Sequence, residues 1–138
     1  MSTVRDMIRK KGSEVFSILP DATIYEALTL LAKHNTGALM VVRGNKVEGI
    51  LSERDCVRKV DLEGKSSKNT KVSEIMTSKV IYVEADQQLE ESMALMIDKN
   101  IRHLPVFDGT ELLGLISVRD VLKEVVDVQK LMISQLEH

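Results

Sequence analysis

Ser52 with Asp55, and again Ser117 with Asp120, are the residues of this sequence best placed to do chemistry. Each pair ends a stretch of the same design, Gly49-Ile50-Leu51-Ser52-Glu53-Arg54-Asp55 and Gly114-Leu115-Ile116-Ser117-Val118-Arg119-Asp120. A glycine, a short apolar strand, a hydroxyl and an aspartate three residues on put a carboxylate at the start of a helix. There the free amides and the helix dipole also favour anions, and Arg54 and Arg119 add a cation just before each aspartate. Such a group is suited to holding a ligand with polar and anionic parts. Nothing in it is aimed at breaking a bond.

The elements that position these residues occur twice. The two stretches lie 65 residues apart, and the same spacing pairs Asp21 with Asp86, Glu26 with Glu91, Asn35 with Asn100, Leu39 with Leu104, Val41 with Val106, Gly44 with Gly109 and Val60 with Val125. A shared period over so long a span marks a tandem duplication. The first copy is expected over residues 1–64 and the second over 65–138, divided within the polar stretch 61–71 that holds Gly64, Ser66, Ser67 and Asn69. At 138 residues the chain has room for about one domain of ordinary size, so both copies belong to one globular module.

Composition limits the function. With 19 Lys+Arg against 21 Asp+Glu and a pI near 5.9, the sequence lacks the basic excess of a general nucleic-acid or membrane surface, so any phosphate binding is local. The single cysteine, Cys56, excludes an internal disulfide and argues against a cysteine-rich metal site. It reads as a packed helix residue in a reducing, cytoplasmic setting, and no metal is expected. No apolar run approaches the roughly 20 residues of a membrane span, and Met1-Ser2-Thr3-Val4-Arg5-Asp6 lacks the order of a signal peptide, so a soluble protein is expected. Seven methionines, no tryptophan and 3% aromatic residues describe an aliphatic core of helices packed on small sheets.

In chain order, the pattern predicts a lead-in helix over 4–8 and a solvated turn at Lys10-Lys11-Gly12-Ser13. A strand over 15–19 follows, then a helix capped by Thr23 with Glu26 at its third position. That helix buries Ile24, Ala27, Leu28, Leu31 and Ala32, and stops at Asn35-Thr36-Gly37, where glycine releases the backbone. Strands over 38–42 and 47–51 form a hairpin through Arg43-Gly44-Asn45-Lys46, and a short helix covers 54–60. The second copy repeats the order with a helix over 72–76, a strand over 80–83, a helix over 88–100 and a hairpin over 103–117. The last helix carries an apolar stripe of Val118, Val121, Leu122, Val125, Val126, Met132, Ile133 and Leu136. That stripe is longer than the module needs for its own core, which predicts packing against another subunit.

With the two glycine-to-aspartate stretches and Ile101-Arg102-His103-Leu104-Pro105-Val106 in the right order, the chain resembles a tandem pair of cystathionine β-synthase (CBS) domains, the Bateman module, over nearly its whole length. The resemblance implies an α+β fold of two β-α-β-β-α repeats with pseudo-twofold symmetry, and a cleft between the repeats that holds an adenine nucleotide: AMP, ADP, ATP or NAD. It also implies that modules pair into a homodimer through their helices. Carried onto this sequence, Asp55 and Asp120 would accept hydrogen bonds from ribose hydroxyls, since the two oxygens of a carboxylate can each take one donor of a diol. Ser52 and Ser117 would contact ribose or phosphate, and Arg102 and His103 would reach phosphate. Backbone groups of Thr36-Gly37-Ala38 and of Ile101-Arg102-His103, with strand residues Phe16, Ser17, Val80 and Ile81, would frame the adenine. The first copy has Thr36-Gly37-Ala38 where the second has Ile101-Arg102-His103, so the two sites are expected to be inequivalent.

Each of these residues also has a structural explanation. Aspartate and serine near a helix start are ordinary caps, and His103 suits a satisfied sheet position. His34 and His138 lack partners at useful spacing and read as surface residues, while Met93 and Met96 read as core. No phosphate loop, dinucleotide fingerprint, metal-spaced cluster or activated nucleophile is present, so a non-enzyme is expected. The leading expectation is an adenine-nucleotide-binding regulatory protein that signals to an unknown effector protein. The competing expectation is an adaptor that dimerises through its helices and keeps only vestigial ligand sites. A small nucleotide hydrolase is a third, minor alternative.

Overall fold

The computed structural model describes residues 2–12 and 14–137; Met1, Ser13 and His138, with the expectations placed on Ser13 and His138, lie outside the described residues. Helices and strands alternate as α1 (Val4–Lys11), β1 (Ser17–Ile18), α2 (Ile24–His34), β2 (Ala38–Arg43), β3 (Lys46–Ser52), α3 (Glu53–Cys56), a π-helical segment (Val57–Asp61), α4 (Val72–Ile75), β4 (Val83–Glu84), α5 (Leu89–Lys99), β5 (His103–Asp108), β6 (Glu111–Ser117) and α6 (Val118–Glu137). The fold is α+β, with two mixed three-stranded sheets of order β1-β2-β3 and β4-β5-β6. In each sheet the short first strand is parallel to the second, and the second and third form an antiparallel hairpin.

Packing divides the chain into two compact units, Val15–Val80 and Met1–Glu14 with Ile81–His138. These are not the sequence repeats, because each lead-in helix packs with the copy that does not follow it. In the first unit α4 closes the core: Val72 and Ile75 join Ile18, Ile24, Leu31, Leu39 and Leu51. In the second unit α1 does the same, with Val4, Met7 and Ile8 packed among Val83, Leu89, Leu104 and Ile116. Burying an aliphatic side chain of this size contributes roughly 1.5–3 kcal/mol.

Local chemistry explains the element boundaries. The Thr23 hydroxyl accepts from the Glu26 amide at 3.1 Å and starts α2, which buries Ile24, Ala27 and Leu31 but leaves Leu28 37% exposed and Ala32 at the surface. The stop of α2 is made by Asn35, in the left-handed region at φ 49°, and that of α5 by Asn100 at φ 54°. Gly37, expected to release the backbone, is not the residue that turns it. Asparagine tolerates this conformation because its short polar side chain bonds locally.

Three further expectations are corrected. Helix α1 runs through Lys10 and Lys11 to a Gly12 cap at φ 99°, so the lysines lie on the helix and not in a solvated turn. The helix expected over 54–60 is one α-turn followed by a π-turn, in which the Leu62 amide donates to the Val57 carbonyl at 3.0 Å. The strands expected over 15–19 and 80–83 are only Ser17–Ile18 and Val83–Glu84, so Phe16, Val80 and Ile81 precede them. Pro105 accounts for β4 starting one position later than β1. In the first sheet the Met40 amide donates to the Phe16 carbonyl at 3.0 Å, but Pro105 occupies the position equivalent to Met40 and has no N–H to give.

Candidate functional site

Both serine–aspartate pairs form reciprocal caps. At the start of α3 the Ser52 hydroxyl accepts from the Asp55 amide at 3.1 Å, and Asp55 Oδ2 accepts from the Ser52 amide at 3.4 Å. At the start of α6 the Ser117 hydroxyl accepts from the Asp120 amide at 3.1 Å, and Asp120 Oδ2 accepts from the Ser117 amide at 2.8 Å. Both caps form because the third β-strand of each sheet runs straight into a helix, leaving the first amides without intrahelical partners. All four side chains are half-buried.

The first strand of each hairpin starts at the same place. Ala38 pairs with Ser52 across β2 and β3, and the Gly37 carbonyl accepts from the Glu53 amide at 3.0 Å. In the second unit His103 pairs with Ser117, and the Arg102 carbonyl accepts from the Val118 amide at 3.0 Å. Thr36-Gly37-Ala38 and Ile101-Arg102-His103 are thus each brought against a capped helix start, in matching registers. Thr36 and Ile101 are half-buried, and the Thr36 hydroxyl donates to the Ala38 carbonyl at 3.4 Å. Ser17 pairs with Met40 next to that edge. Phe16 stacks on His34 with ring centroids 3.8 Å apart and an interplanar angle of 11°, so His34 is half-buried and packed, where a surface residue was expected. Val80 and Ile81 lie outside the strands. Arg54 is half-buried and Arg119 exposed, and neither forms an ion pair among the described residues.

Two lysines complete the sites. Lys59, one turn after Asp55, approaches Asp55 Oδ1 at 3.5 Å. Lys11, from α1, lies 2.8 Å from Asp120 Oδ2 and donates to the Leu115 carbonyl. The sequence signals Lys59 by its i,i+4 spacing. Lys11, more than a hundred residues from Asp120, has no such signal.

Electrostatics separate the two units. Burial alone would push the Asp120 carboxyl up, but the hydrogen bonds from Lys11 and the Ser117 amide outweigh it and hold the group below the usual aspartate range. Burial lowers the His103 pKa, opposed by Asp120 and assisted by Lys11 and Arg102. A neutral imidazole, an ammonium, a guanidinium and a carboxylate therefore act on one another around the start of α6. The first unit has no counterpart to Arg102 and His103. Cys56 is buried, as expected of a packed residue, and burial raises its thiol to about 11 with help from Asp55 and Glu53. No group of three His, Cys, Asp or Glu side chains placed to hold a metal occurs among the described residues, and no helix among them is long and apolar enough to cross a membrane.

The family model of the CBS domain matches residues 4–62 and 72–127. The chain belongs to the CBS-domain family and carries the domain as a tandem pair. It is 37% identical to the mitochondrial CBS domain-containing protein CBSX3 of Arabidopsis thaliana, over 91% of this chain and 65% of that protein, so it spans just under two thirds of that relative's length. Among solved structures, a candidate signal-transduction protein with CBS domains from Burkholderia ambifaria MC40-6 superposes with a TM-score of 0.88 at 44% identity, covering 91% of this chain and 95% of the other. The hexameric CBS-CP12 protein of bloom-forming cyanobacteria superposes with a TM-score of 0.79 at 31% identity, over 88% of this chain and 70% of that one.

Proposed function

We propose that this CBS pair is a non-catalytic regulatory module that binds an adenine nucleotide, AMP, ADP, ATP or NAD, and passes the signal to another protein. The observation that carries this reading is the recurrence, in both units, of a capped aspartate at a helix start with a neighbouring strand delivered against it. A carboxylate there takes ribose hydroxyls, and backbone groups of Thr36-Gly37-Ala38 and Ile101-Arg102-His103 take the base. Phosphate belongs at the second site, where Arg102 and His103 replace Gly37 and Ala38. The two sites therefore differ in ligand preference.

Signal output needs a surface, and α6 offers one. While Val118, Val121 and Val125 pack on the core, Leu122, Val126, Leu131, Met132, Ile133 and Leu136 of the same helix are exposed. A second copy of the chain covering this stripe gives a homodimer; the cyanobacterial relative, stated to be hexameric, supports self-association in general. The buried, unpaired cysteine fits a reducing compartment such as the cytoplasm.

A ligand that binds only the folded form stabilises it by RT ln(1 + [L]/Kd), about 2.7 kcal/mol at a hundredfold excess over Kd. Thermal melting with AMP, ADP, ATP and NAD tests the proposal: a saturable rise with at least one of them is expected. No rise with any adenosine compound would favour the adaptor, whose support is the apolar stripe of α6.

A further inference from the structure

Helix α1 is fixed on the second unit at its first turn. The Thr3 hydroxyl caps it against the Asp6 amide at 3.2 Å, the Val4 and Arg5 amides donate to the carbonyls of Gln87 and Ala85, and Arg5 pairs with Asp86 and Asp108, each at 3.2 Å. Its last turn presents two adjacent lysines to α6 and they divide the work. Lys10 pairs with Glu124 at 2.7 Å, a residue only 5% exposed, and Lys11 pairs with Asp120.

The duplication shows why Lys11 is needed. In the first repeat the lysine facing the cap aspartate comes from the same helix, as Lys59. The equivalent position of the second repeat is Glu124, so the cation beside Asp120 has to come from another element. Of the Asp120 carboxylate, Oδ2 is engaged by both the Ser117 amide and Lys11, while Oδ1 has no hydrogen-bond or ion-pair partner among the described residues. A sugar diol that uses both oxygens must share or displace Lys11. The ammonium is partly shielded, its side chain 35% exposed, so a ligand that displaces it without offering an anion leaves a half-covered charge with little beyond the Leu115 carbonyl. A phosphate supplies the missing counter-charge.

We propose that Lys11 is a specificity-determining residue of the second-repeat site, which holds Asp120 and turns to the phosphate of a phosphomonoester or diphosphate ligand, completing a basic cluster with Arg102 and His103. The proposal rests on the nucleotide reading for the sugar and base, but its phosphate part stands separately. Lys11 thereby makes the site favour AMP over adenosine.

Calorimetric titration of the full chain and of Lys11→Met with AMP, adenosine and inorganic pyrophosphate tests this. Methionine keeps the length of the stem and removes the charge. The expected result is AMP and pyrophosphate binding weakened about tenfold or more, the size of one charge-assisted contact, with adenosine unchanged or tighter. Lys11→Arg should retain the preference. If the methionine variant fails to fold, Lys11→Gln reads the same ratio. Equal AMP-to-adenosine ratios in the wild type and the variant would overturn the role of Lys11 while leaving nucleotide binding intact. Lys11-dependent pyrophosphate binding without any adenosine binding would uphold Lys11 and sink the nucleotide reading. Absence of all three ligands from the wild type would sink both.

Discussion

Gly49 and Gly114 hold equivalent positions in the two hairpins, yet alanine at the two should have different consequences. A Cβ on Gly49 would stand 2.8 Å from Met76 Sδ and 2.8 Å from the Thr77 carbonyl oxygen. That carbonyl cannot retreat cheaply, because it accepts from the Ile50 amide at 3.0 Å while the Thr77 amide donates to the Ile50 carbonyl at 2.9 Å. A Cβ on Gly114 would stand 2.7 Å from Ile8 Cδ1, with the next atom at 3.7 Å, so the end of one flexible side chain has to turn. Overpacking against fixed backbone costs about 1–3 kcal/mol, and an off-rotamer isoleucine about 0.5–1.5 kcal/mol. Both changes gain about 0.4–1 kcal/mol from a stiffer unfolded chain. The net expectation is a loss of about 1–2 kcal/mol for Gly49→Ala and close to zero for Gly114→Ala. With a urea m-value of about 2 kcal/mol/M, the midpoint falls by roughly 0.5–1 M for the first and hardly moves for the second. A Gly114→Ala loss as large as that of Gly49→Ala, or a neutral Gly49→Ala, would refute the reasoning.

Ser92 is fully buried and its hydroxyl has no hydrogen-bond partner among the described residues, whereas the first repeat has Ala27 there; Ser92→Ala should raise stability by about 1 kcal/mol in urea unfolding, and a loss would show that the hydroxyl is satisfied. Cys56, with its thiol raised to about 11 by burial, should resist a maleimide at pH 7.5 until urea unfolds the chain, and full labelling of the native protein within minutes would contradict this. Because burial depresses His103, the unfolded chain takes up the proton first as pH falls. Its contribution is complete above the unfolded value of about 6.5 and is lost as pH drops from there through the folded value. The His103 proton resonance should therefore titrate below 6.5, and a midpoint at or above that value would reverse the sign.

Much of this structure was legible in the sequence because the duplication doubles every signal. Two hairpins, two long helices and two capped aspartates follow from the 65-residue period, glycine turns and hydroxyl-to-acid spacing, all of which act locally. Features that depend on distant partners were not legible. The ion pair of Lys11 with Asp120 joins residues at opposite ends of the chain, so the adjacent lysines read as a solvated turn. Phe16 and His34 stack only once β1 and α2 have docked. The start of β4 one position later than that of β1 follows from Pro105, whose missing N–H matters only when the parallel register is known. The stop of α2 fell to Asn35 over Gly37 because the left-handed residue is the first one after the helix, and asparagine suffices there.

The most direct test of the nucleotide-binding reading is calorimetric titration of AMP and NAD into the wild type and into the double variant Asp55→Asn/Asp120→Asn, with melting curves as the fold control. Asp55 and Asp120 sit at the third helical position, where an asparagine side-chain oxygen can still accept from the serine amide, so the fold should persist while the carboxylates that would receive ribose are lost. Saturable heat in the wild type, weakened at least about tenfold in the double variant, is the predicted result. Equal binding by both proteins, or no binding by the wild type, would contradict it.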